Sequence, residues 1–438
     1  MRCTLPEGVS SAKIGFCGEA ISMRKRVVVT GMGVVSPNGI GRQTFCRAIL
    51  AGTSGVGAIS RFDASSLPVQ IAGEVRDFDE LAWVDAHERK HVSRSVPMAI
   101  AASTEALADA GLVPSSMDLD AKRRIGVVLG TGGGAQDFSE HQYRLWLSGR
   151  VAEASLFAVP SGTIGTMSSE ISMRFGFRGM SHVISTGCTS STDALGYALR
   201  EIRSGSLPMM LAGGVDSPIM EGVMRGFLLM RIVTRSWNHA PGRGSRPFSA
   251  DRDGFVLAEG SWMFVLEEYD HARERKAQIY GEIAGYGSTC EAFHRVRLAE
   301  CGEEPARAMQ LAMDDAGVGP RDIQYVNLHG TSTQLNDRIE TRALKLALGE
   351  EHARGIPMSS LKSQIGHPQG ACGAAGVAAA LIAMKHGQIP PTINLDTPDP
   401  ECDLDYVPSP GRTAQVQHAL CNCIAFGSKN SALVLKRA

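Results

Sequence analysis

The segment His182-Val183-Ile184-Ser185-Thr186-Gly187-Cys188-Thr189-Ser190-Ser191-Thr192-Asp193-Ala194-Leu195 carries the chain from one kind of structure into another. A short apolar, β-prone run stops at a Thr-Gly step. A cysteine follows, then hydroxyl residues, then a helical pattern. Strand, sharp turn and helix in that order form the unit from which α/β folds are built. Such a turn exposes the cysteine sulfur, and the free N–H groups of the helix start point at it. The positive end of the helix dipole favours thiolate over thiol. The competing reading is a small core cysteine, because free Cys is usually buried and inert. On this segment alone both readings stand.

Outward from the turn, short apolar strands alternate with amphipathic helices, an α/β pattern throughout. Strands are expected at Val27–Thr30, Ile125–Leu129, His182–Ser185, Met209–Leu211, Trp262–Leu266, Ile279–Tyr286, Gln324–Leu328, Cys421–Ala425 and Ala432–Leu435. Helices are expected at Pro97–Ala110, Thr192–Ser204, Pro305–Ala316, Asp337–Leu348 and Gly373–His386. Trp237–Asp253, rich in Gly, Pro, Arg and Ser, reads as an ordered surface loop. The charged stretch Glu267–Lys276 divides the chain into residues 23–276 and 277–438. Each portion sets a reactive residue just after a strand (Cys188, His329), a hint of duplication without a sequence repeat to match. Ala371–Met384 is mostly Ala and Gly; it is too short to span a bilayer and reads as a buried helix with close neighbours.

The chain has 438 residues, and at 43% hydrophobic it can build a sizeable core. Its net charge of −1 argues against a general nucleic-acid or membrane-surface binder, so an electrostatic partner must meet a local patch. Ten cysteines without framework spacing favour free thiols in a reducing cytoplasm. Residues 1–22 lack the sustained apolar core of a secretory signal. Met23-Arg24-Lys25-Arg26 followed by Val27-Val28-Val29 is the more natural start. Residues 1–22 are therefore expected to be a dispensable extension or a start-codon choice.

Two glycine clusters invite a nucleotide reading. Gly31-Met32-Gly33 follows a strand but lacks the third glycine, and Gly130-Thr131-Gly132-Gly133-Gly134-Ala135 fits a loose G-x-G-x-x-A. A dinucleotide site also needs an acid about 20 residues on, at the end of a second strand. None is evident, so tight backbone packing beside a pocket is the better reading. His329, directly after Val326-Asn327-Leu328, and His367, in Lys362-Ser363-Gln364-Ile365-Gly366-His367, both sit at strand ends among Gly, Ser and Thr. There α/β folds collect catalytic groups. Singly, each is more often structural; with the strand-end cysteine they suggest a Cys-His-His set. No H-x-x-x-H or C-x-x-C spacing supports a metal, and Cys421-Asn422-Cys423 lacks a second ligand pair, so none is expected. At Phe426-Gly427-Ser428-Lys429-Asn430 a turn could aim backbone N–H groups at a reacting carbonyl oxygen, or simply join two strands.

Together these residues resemble the β-ketoacyl-acyl-carrier-protein synthases of the thiolase superfamily, in particular the elongating ketosynthases of fatty-acid and type II polyketide systems. The resemblance runs from about residue 24 to the C-terminus. It rests on Val27-Val28-Val29-Thr30-Gly31-Met32-Gly33, Ser185-Thr186-Gly187-Cys188-Thr189-Ser190, Asp251-Arg252-Asp253-Gly254-Phe255-Val256, His329-Gly330-Thr331-Ser332-Thr333, Lys362-Ser363-Gln364-Ile365-Gly366-His367 and Pro391-Thr392-Ile393-Asn394-Leu395. The Thr-Gly-Cys step and Asn336-Asp337-Arg338-Ile339-Glu340-Thr341 are nearer to the polyketide subunits.

The resemblance implies an α/β, five-layered α-β-α-β-α thiolase-like fold with pseudo-duplicated halves, and a cytoplasmic dimer. It implies decarboxylative Claisen condensation of malonyl-ACP with an acyl chain held as a thioester on Cys188. His329 and His367 would stabilise the enolate, Lys362 with Glu340 would set their electrostatics, and the N–H groups of Cys188 and Phe426 would form an oxyanion hole. Thr331 and Thr333 would hold phosphopantetheine, which arrives on the acyl carrier protein, so no resident cofactor is implied. Phe227 and Gly133 would shape the acyl pocket; Gly133 stands where fatty-acid enzymes carry a bulky residue, which implies a deeper pocket. The carrier in such systems is acidic. Gly222–Arg252 holds six arginines (225, 231, 235, 243, 246, 252) and one acid, Asp251. Of these, Arg225, Arg231 and Arg235 are the candidate docking residues; a solvated charged loop is the alternative.

Two departures bear on gating. The family's Gly-Phe-Gly-Gly-Thr-Asn turn reads Ala425-Phe426-Gly427-Ser428-Lys429-Asn430 here, which should restrict the backbone. The facing loop reads Phe293-His294-Arg295-Val296-Arg297-Leu298-Ala299-Glu300-Cys301 where Tyr-His-hydrophobic-Thr is usual. The alternative to a condensing enzyme is a non-catalytic, chain-length-factor-like partner, with the chain itself one subunit of a homodimer or such a heterodimer. Partners of that kind lack the reactive cysteine.

Overall fold

The computed structural model describes residues 24–438, so the expectation for residues 1–22 lies outside the described residues. The first half of the chain contains β1 (Val27–Ser36), α1 (Arg42–Ala51), α2 (Ser95–Asp109), β2 (Ile125–Gly130), α3 (Gln136–Leu147), α4 (Thr166–Phe175), β3 (Ser181–Ile184), α5 (Ser190–Arg203), β4 (Met209–Asp216), α6 (Glu221–Met230) and β5 (Gly260–Glu268). The second contains β6 (Gly281–Cys290), α7 (Glu303–Ala316), β7 (Tyr325–Asn327), α8 (Gln334–Leu348), β8 (Met358–Ser359), α9 (Cys372–His386), β9 (His418–Ala425) and β10 (Lys429–Lys436).

The main strands lie in the order β8-β7-β9-β10-β6-β1-β5-β4-β2-β3. Within each half the spatial order is third, second, fourth, fifth, first. The first three strands are mutually parallel, and the fourth and fifth each run antiparallel to the strand before, in both halves. The duplication hinted at by Cys188 and His329 is therefore present in the topology. The two halves of the sheet join through β1 and β6 over only two residue pairs, Val28–Glu282 and Val29–Gly281.

Side-chain alternation sorts the layers. Val27, Val29, Met32 and Val34 of β1 enter a central core with α5 and α9, whereas Val35 enters an outer core with α2 and α4. The inward set changes parity between Val29 and Met32 because a bulge falls between Val29 and Gly31. A third core places α7 and α8 outside the second half-sheet. Helix, sheet, helix pair, sheet and helix make five layers. α9 is buried along nearly its whole length, and among the described residues no helix is long and apolar enough to cross a membrane.

β1 runs beyond the expected Thr30, through the first glycine cluster. A Cβ at Gly31 or Gly33 would come within 2.1 Å of the Ala106 carbonyl oxygen or 1.9 Å of that of Ala102, on α2. The cluster is thus strand against helix backbone, not a loop. α5 and α9 cross equally closely: Ser191 Oγ accepts the Ala374 N–H at 2.9 Å, and a Cβ on Gly373 would lie 2.0 Å from Thr192 Oγ1.

Two charged stretches differ from expectation. Gly244–Ser249 of the arginine-rich loop is buried, as is Arg252. Arg246 pairs with Asp251 at 2.7 Å, and Arg252 with Asp337 at 3.1 Å and Asp399 at 2.6 Å. Paired this way a guanidinium can be taken out of water. Glu267, inside the charged divider, is also buried, held by Arg275 at 2.6 Å.

Candidate active site

β3 delivers the chain to Gly187, whose left-handed φ of 72° makes the turn. The turn closes on itself: Ser190 Oγ accepts the Thr186 N–H at 2.9 Å and donates to the Gly187 carbonyl at 2.5 Å. Cys188 follows, at the floor of a cavity of about 270 Å³ that is also lined by His329, His367, Thr331, Thr333 and Phe426. The expected exposed sulfur is not found, since Cys188 is only 4% accessible. Burial pushes its thiol up, while the Lys362 ammonium and the Phe426 N–H facing it favour the thiolate. The residues that cover the cavity come from distant loops, and their desolvation outweighs the helix start.

His329 leaves β7 on a turn anchored by Glu340, which accepts the N–H groups of His329 at 2.6 Å and Gly330 at 2.7 Å and the Asn422 amide at 2.8 Å. Gly330 has φ 36°, and a Cβ there would meet that of Ser360 at 2.6 Å. Lys362 Nζ donates to the His329 carbonyl at 2.6 Å. His367 is fixed through its backbone, its N–H donating to Val256 O at 2.7 Å. The two rings stand edge to face, centroids 5.4 Å apart. Cys188 Sγ and one nitrogen of each ring lie within 4.8 Å of one another.

Burial, with Lys362 adding to it, pushes His329 down to about 3; burial lowers His367 in the same way. Both imidazoles are neutral at physiological pH, so each can donate one N–H without carrying charge. A nucleophilic sulfur, two neutral donors and a backbone N–H converge on one small, largely apolar cavity. That arrangement suits acyl transfer followed by stabilisation of developing negative charge. Thr331 and Thr333 share a hydroxyl contact of 2.9 Å at its wall, and the Thr331 N–H is held by Asp337 at 3.1 Å.

Glu340 lies beneath the cavity, and burial pushes it up to about 7. Phe227 is one ring back: it packs on Phe255, which lines the cavity and meets His367 edge to face at 5.4 Å. Gly133 is not brought to the cavity either. Its N–H donates to Asp216 Oδ1 at 3.1 Å, and the N–H groups of Gly132 and Gly370 reach Asp216 Oδ2 at 2.7 Å each. The second glycine cluster thus spends on an internal carboxylate the donors a phosphate would need.

Arg225, Arg231 and Arg235 are exposed. Arg231 caps α6 between Met230 and Ile232, both at the cavity, whereas Arg225 is paired to Glu221 at 2.8 Å. Of the six arginines, Arg246 and Arg252 are buried and Arg243 is paired to Asp396 at 2.5 Å, so fewer are available to a partner than the sequence suggested.

Sequence reading missed several residues at the site. Arg297 lines the cavity mouth. Ser428, with φ 64°, clasps the two altered loops together. Its hydroxyl accepts the N–H groups of Phe293 at 3.3 Å and His294 at 3.2 Å and donates to the His294 carbonyl at 3.0 Å. Cys372 and Cys423 pack under Cys188. Departures at 293–301 and 428 had marked the clasp loops; nothing in the spacing marked the two thiols.

Residues 24–272 match the family model "Beta-ketoacyl synthase, N-terminal domain" and residues 280–396 match "Beta-ketoacyl synthase, C-terminal domain". The actinorhodin polyketide beta-ketoacyl synthase 1 of Streptomyces coelicolor is 41% identical over 434 residues, 96% of this chain and 90% of that one. The 3-oxoacyl-[acyl-carrier-protein] synthase 2 of Synechocystis sp. is 40% identical over 414 residues, 94% and 98%. Among solved structures, a type II polyketide ketosynthase in complex with its acyl-carrier protein superposes with a TM-score of 0.86 at 33% identity, covering 95% of this chain and all of that one. The ishigamide ketosynthase/chain length factor superposes with a TM-score of 0.87 at 32% identity, covering 95% and 100%.

Proposed function

This chain belongs to the beta-ketoacyl synthase family, and from that premise we propose how its residues divide the work. The enzyme is a carbon–carbon bond-forming acyltransferase of fatty-acid or type II polyketide biosynthesis. We assign it to the polyketide side, on the Thr-Gly-Cys step and the Asn336–Thr341 segment.

Cys188 sulfur attacks an acyl thioester on the acyl carrier, and the carrier's pantetheine thiol leaves with the proton. Malonyl-carrier then binds with its thioester carbonyl at the N–H donors of His329 and His367. The bond to carbon dioxide breaks, and its electron pair enters an enolate that the two donors stabilise. The enolate carbon attacks the Cys188 acyl carbon, the N–H groups of Cys188 and Phe426 hold the resulting oxyanion, and the Cys188 thiolate departs. Lys362 and Glu340 position the His329 turn. Thr331 and Thr333 hold the pantetheine arm, which comes with the carrier.

The observation that carries this reading is the meeting of Cys188, His329 and His367 within 4.8 Å at the cavity floor. Intact-mass measurement after incubation with acyl-carrier thioesters should show an adduct that Cys188→Ala abolishes. His329→Ala or His367→Ala should still acylate but lose about 10²–10³-fold in malonyl decarboxylation. Absence of any adduct would favour the chain-length-factor reading.

Residues 23–276 and 277–438 then act as the two ketosynthase halves, in the cytoplasm. Arg231 and Arg235, with Arg225 beside them, receive an acidic carrier at the mouth. β3 is a sheet edge, and the helix packed against it, α4, carries the exposed Met173, while Leu147, Leu156 and Val159 in the same half are also exposed. An open edge beside apolar surface supports a second subunit there, either another copy or a chain-length-factor-like partner.

A further inference from the structure

Behind the nucleophile lies a second group of soft donors. Cys372, the first residue of α9, and Cys423 of β9 bring their sulfurs to 3.5 Å. Cys423 Sγ lies 3.5 Å from His329 Nδ1. Both thiols donate to the Cys188 carbonyl oxygen, at 3.2 and 3.1 Å. Both sulfurs and a nitrogen of His329 fall within 4.8 Å of one another.

The sulfur–sulfur and sulfur–nitrogen spacings of 3.5 Å are those of a coordination sphere; the carbonyl oxygen lies closer, at hydrogen-bond distance from both thiols. Zinc bonds of about 2.3 Å to sulfur and ~2.0–2.1 Å to nitrogen, at tetrahedral angles, set ligand atoms ~3.5–3.8 Å apart. A disulfide needs its sulfurs at about 2.05 Å. The Cys188–His329–His367 group offers a metal only one thiolate, and thiophilic cations prefer more. The expectation of no metal rested on spacing along the chain. Here the ligands lie 51 and 94 residues apart in sequence and meet only through the fold.

We propose that Cys372, Cys423 and His329 Nδ1 bind a thiophilic d¹⁰ cation of the zinc class, with the Cys188 carbonyl oxygen as fourth donor. The two thiols lose their protons to solvent on binding. A cation on Nδ1 leaves the ring proton on Nε2 and fixes the His329 tautomer. The relevance of that tautomer to catalysis rests on the assigned role of His329; the metal site itself does not.

The test uses the full chain, reduced and chelator-stripped, titrated with zinc chloride and separately with cobalt chloride. Equilibrium dialysis with elemental analysis should find one zinc per chain, and cobalt should show near-ultraviolet thiolate charge-transfer absorption. Cys372→Ala/Cys423→Ser should weaken binding about 100-fold or more and abolish that absorption, while Cys188→Ala keeps both. The single variants replace the double one if it misfolds. No retained zinc, equal retention in Cys372→Ala/Cys423→Ser, loss in Cys188→Ala, or a Cys372–Cys423 disulfide without zinc uptake after reduction each overturns the proposal. An acyl adduct on Cys188, measured separately in the double variant, tells failure of the metal site from failure of the condensing role.

Discussion

Lys362 Nζ and the His329 carbonyl oxygen are 2.6 Å apart, both buried. The ammonium is hydrogen-bonded to the backbone of the residue whose ring it electrostatically controls, which keeps the charge close to that ring. It adds to the burial that keeps both imidazoles neutral.

Lys362→Met, in the chelator-stripped protein, removes that contribution. The histidine titrations should move upward, so the acid limb of malonyl decarboxylation should shift to higher pH, with decarboxylation falling by about tenfold or more. A fall without movement of the limb would mean that the lysine only props up the loop.

In the chelator-stripped protein His329 also links stability to pH. Its unfolded value is 6.5 and its folded value about 3. Between these the unfolded chain binds a proton that the folded chain refuses. The contribution of a neutral His329 is thus complete above pH 6.5 and is lost as pH falls toward 3. The burial-raised carboxyls of Glu340 and Asp216, at about 7 and about 6, slope the other way, so the comparison must be with His329→Asn, which shares them. Urea midpoints at pH 7.5 and 5.5 should drop less in the variant than in the parent; equal drops would refute the linkage.

Ser428→Gly should loosen the clasp between the Phe426 turn and the 293–298 segment. Glycine also suits φ 64° better than serine. The variant should accept acyl-carrier at a higher rate, with faster hydrogen exchange confined to those two segments. Unchanged exchange there would show that the hydroxyl contacts do not restrain the loops.

Charge reversal should separate the arginines. Arg231→Glu should raise KM for acyl-carrier several-fold and flatten its salt dependence. Arg225→Glu should do less, because Glu221 already neutralises that side chain. Equal effects would point to a diffuse field, not a docking site.

Gly133 lies outside the cavity described above, so only an acyl chain long enough to run past its floor to the Gly132–Gly134 turn should meet Gly133→Ile; the variant should then shorten the chains accepted, read as product length by mass spectrometry. The new Cβ would meet Gln136 Oε1 at 2.7 Å, the movable end of a side chain, so the loop has room to adjust. An unchanged length profile would remove Gly133 from the acyl pocket.

Local pattern made much of this molecule legible. The strands around Val127, Leu211 and Phe264 and the helices around Ala198 and Ala379 announce themselves through alternation or continuous apolar runs. β1 past Thr30 did not, because Gly31 and Gly33 look like a loop until the α2 backbone lies against them. Cys188 was found from the turn, but its depth was not, since the cover comes from residues far along the chain, Met230, Ile232 and Phe255 and those beyond 290. Arg252 reads as a surface charge until Asp337 and Asp399 are folded beside it. Cys372 and Cys423 were invisible as a pair for the same reason: contact between a helix start and a distant strand leaves no trace in spacing.

The repeated strand order has a consequence of its own. The first repeat supplies the attacking sulfur; the second supplies His329, Lys362, His367 and Phe426. Two copies of one scaffold, fused in a single polypeptide, are released from the sameness that symmetry forces on a homodimer. Each could specialise, one toward carrying the chain and the other toward activating its extender, while the shared architecture kept their working ends face to face.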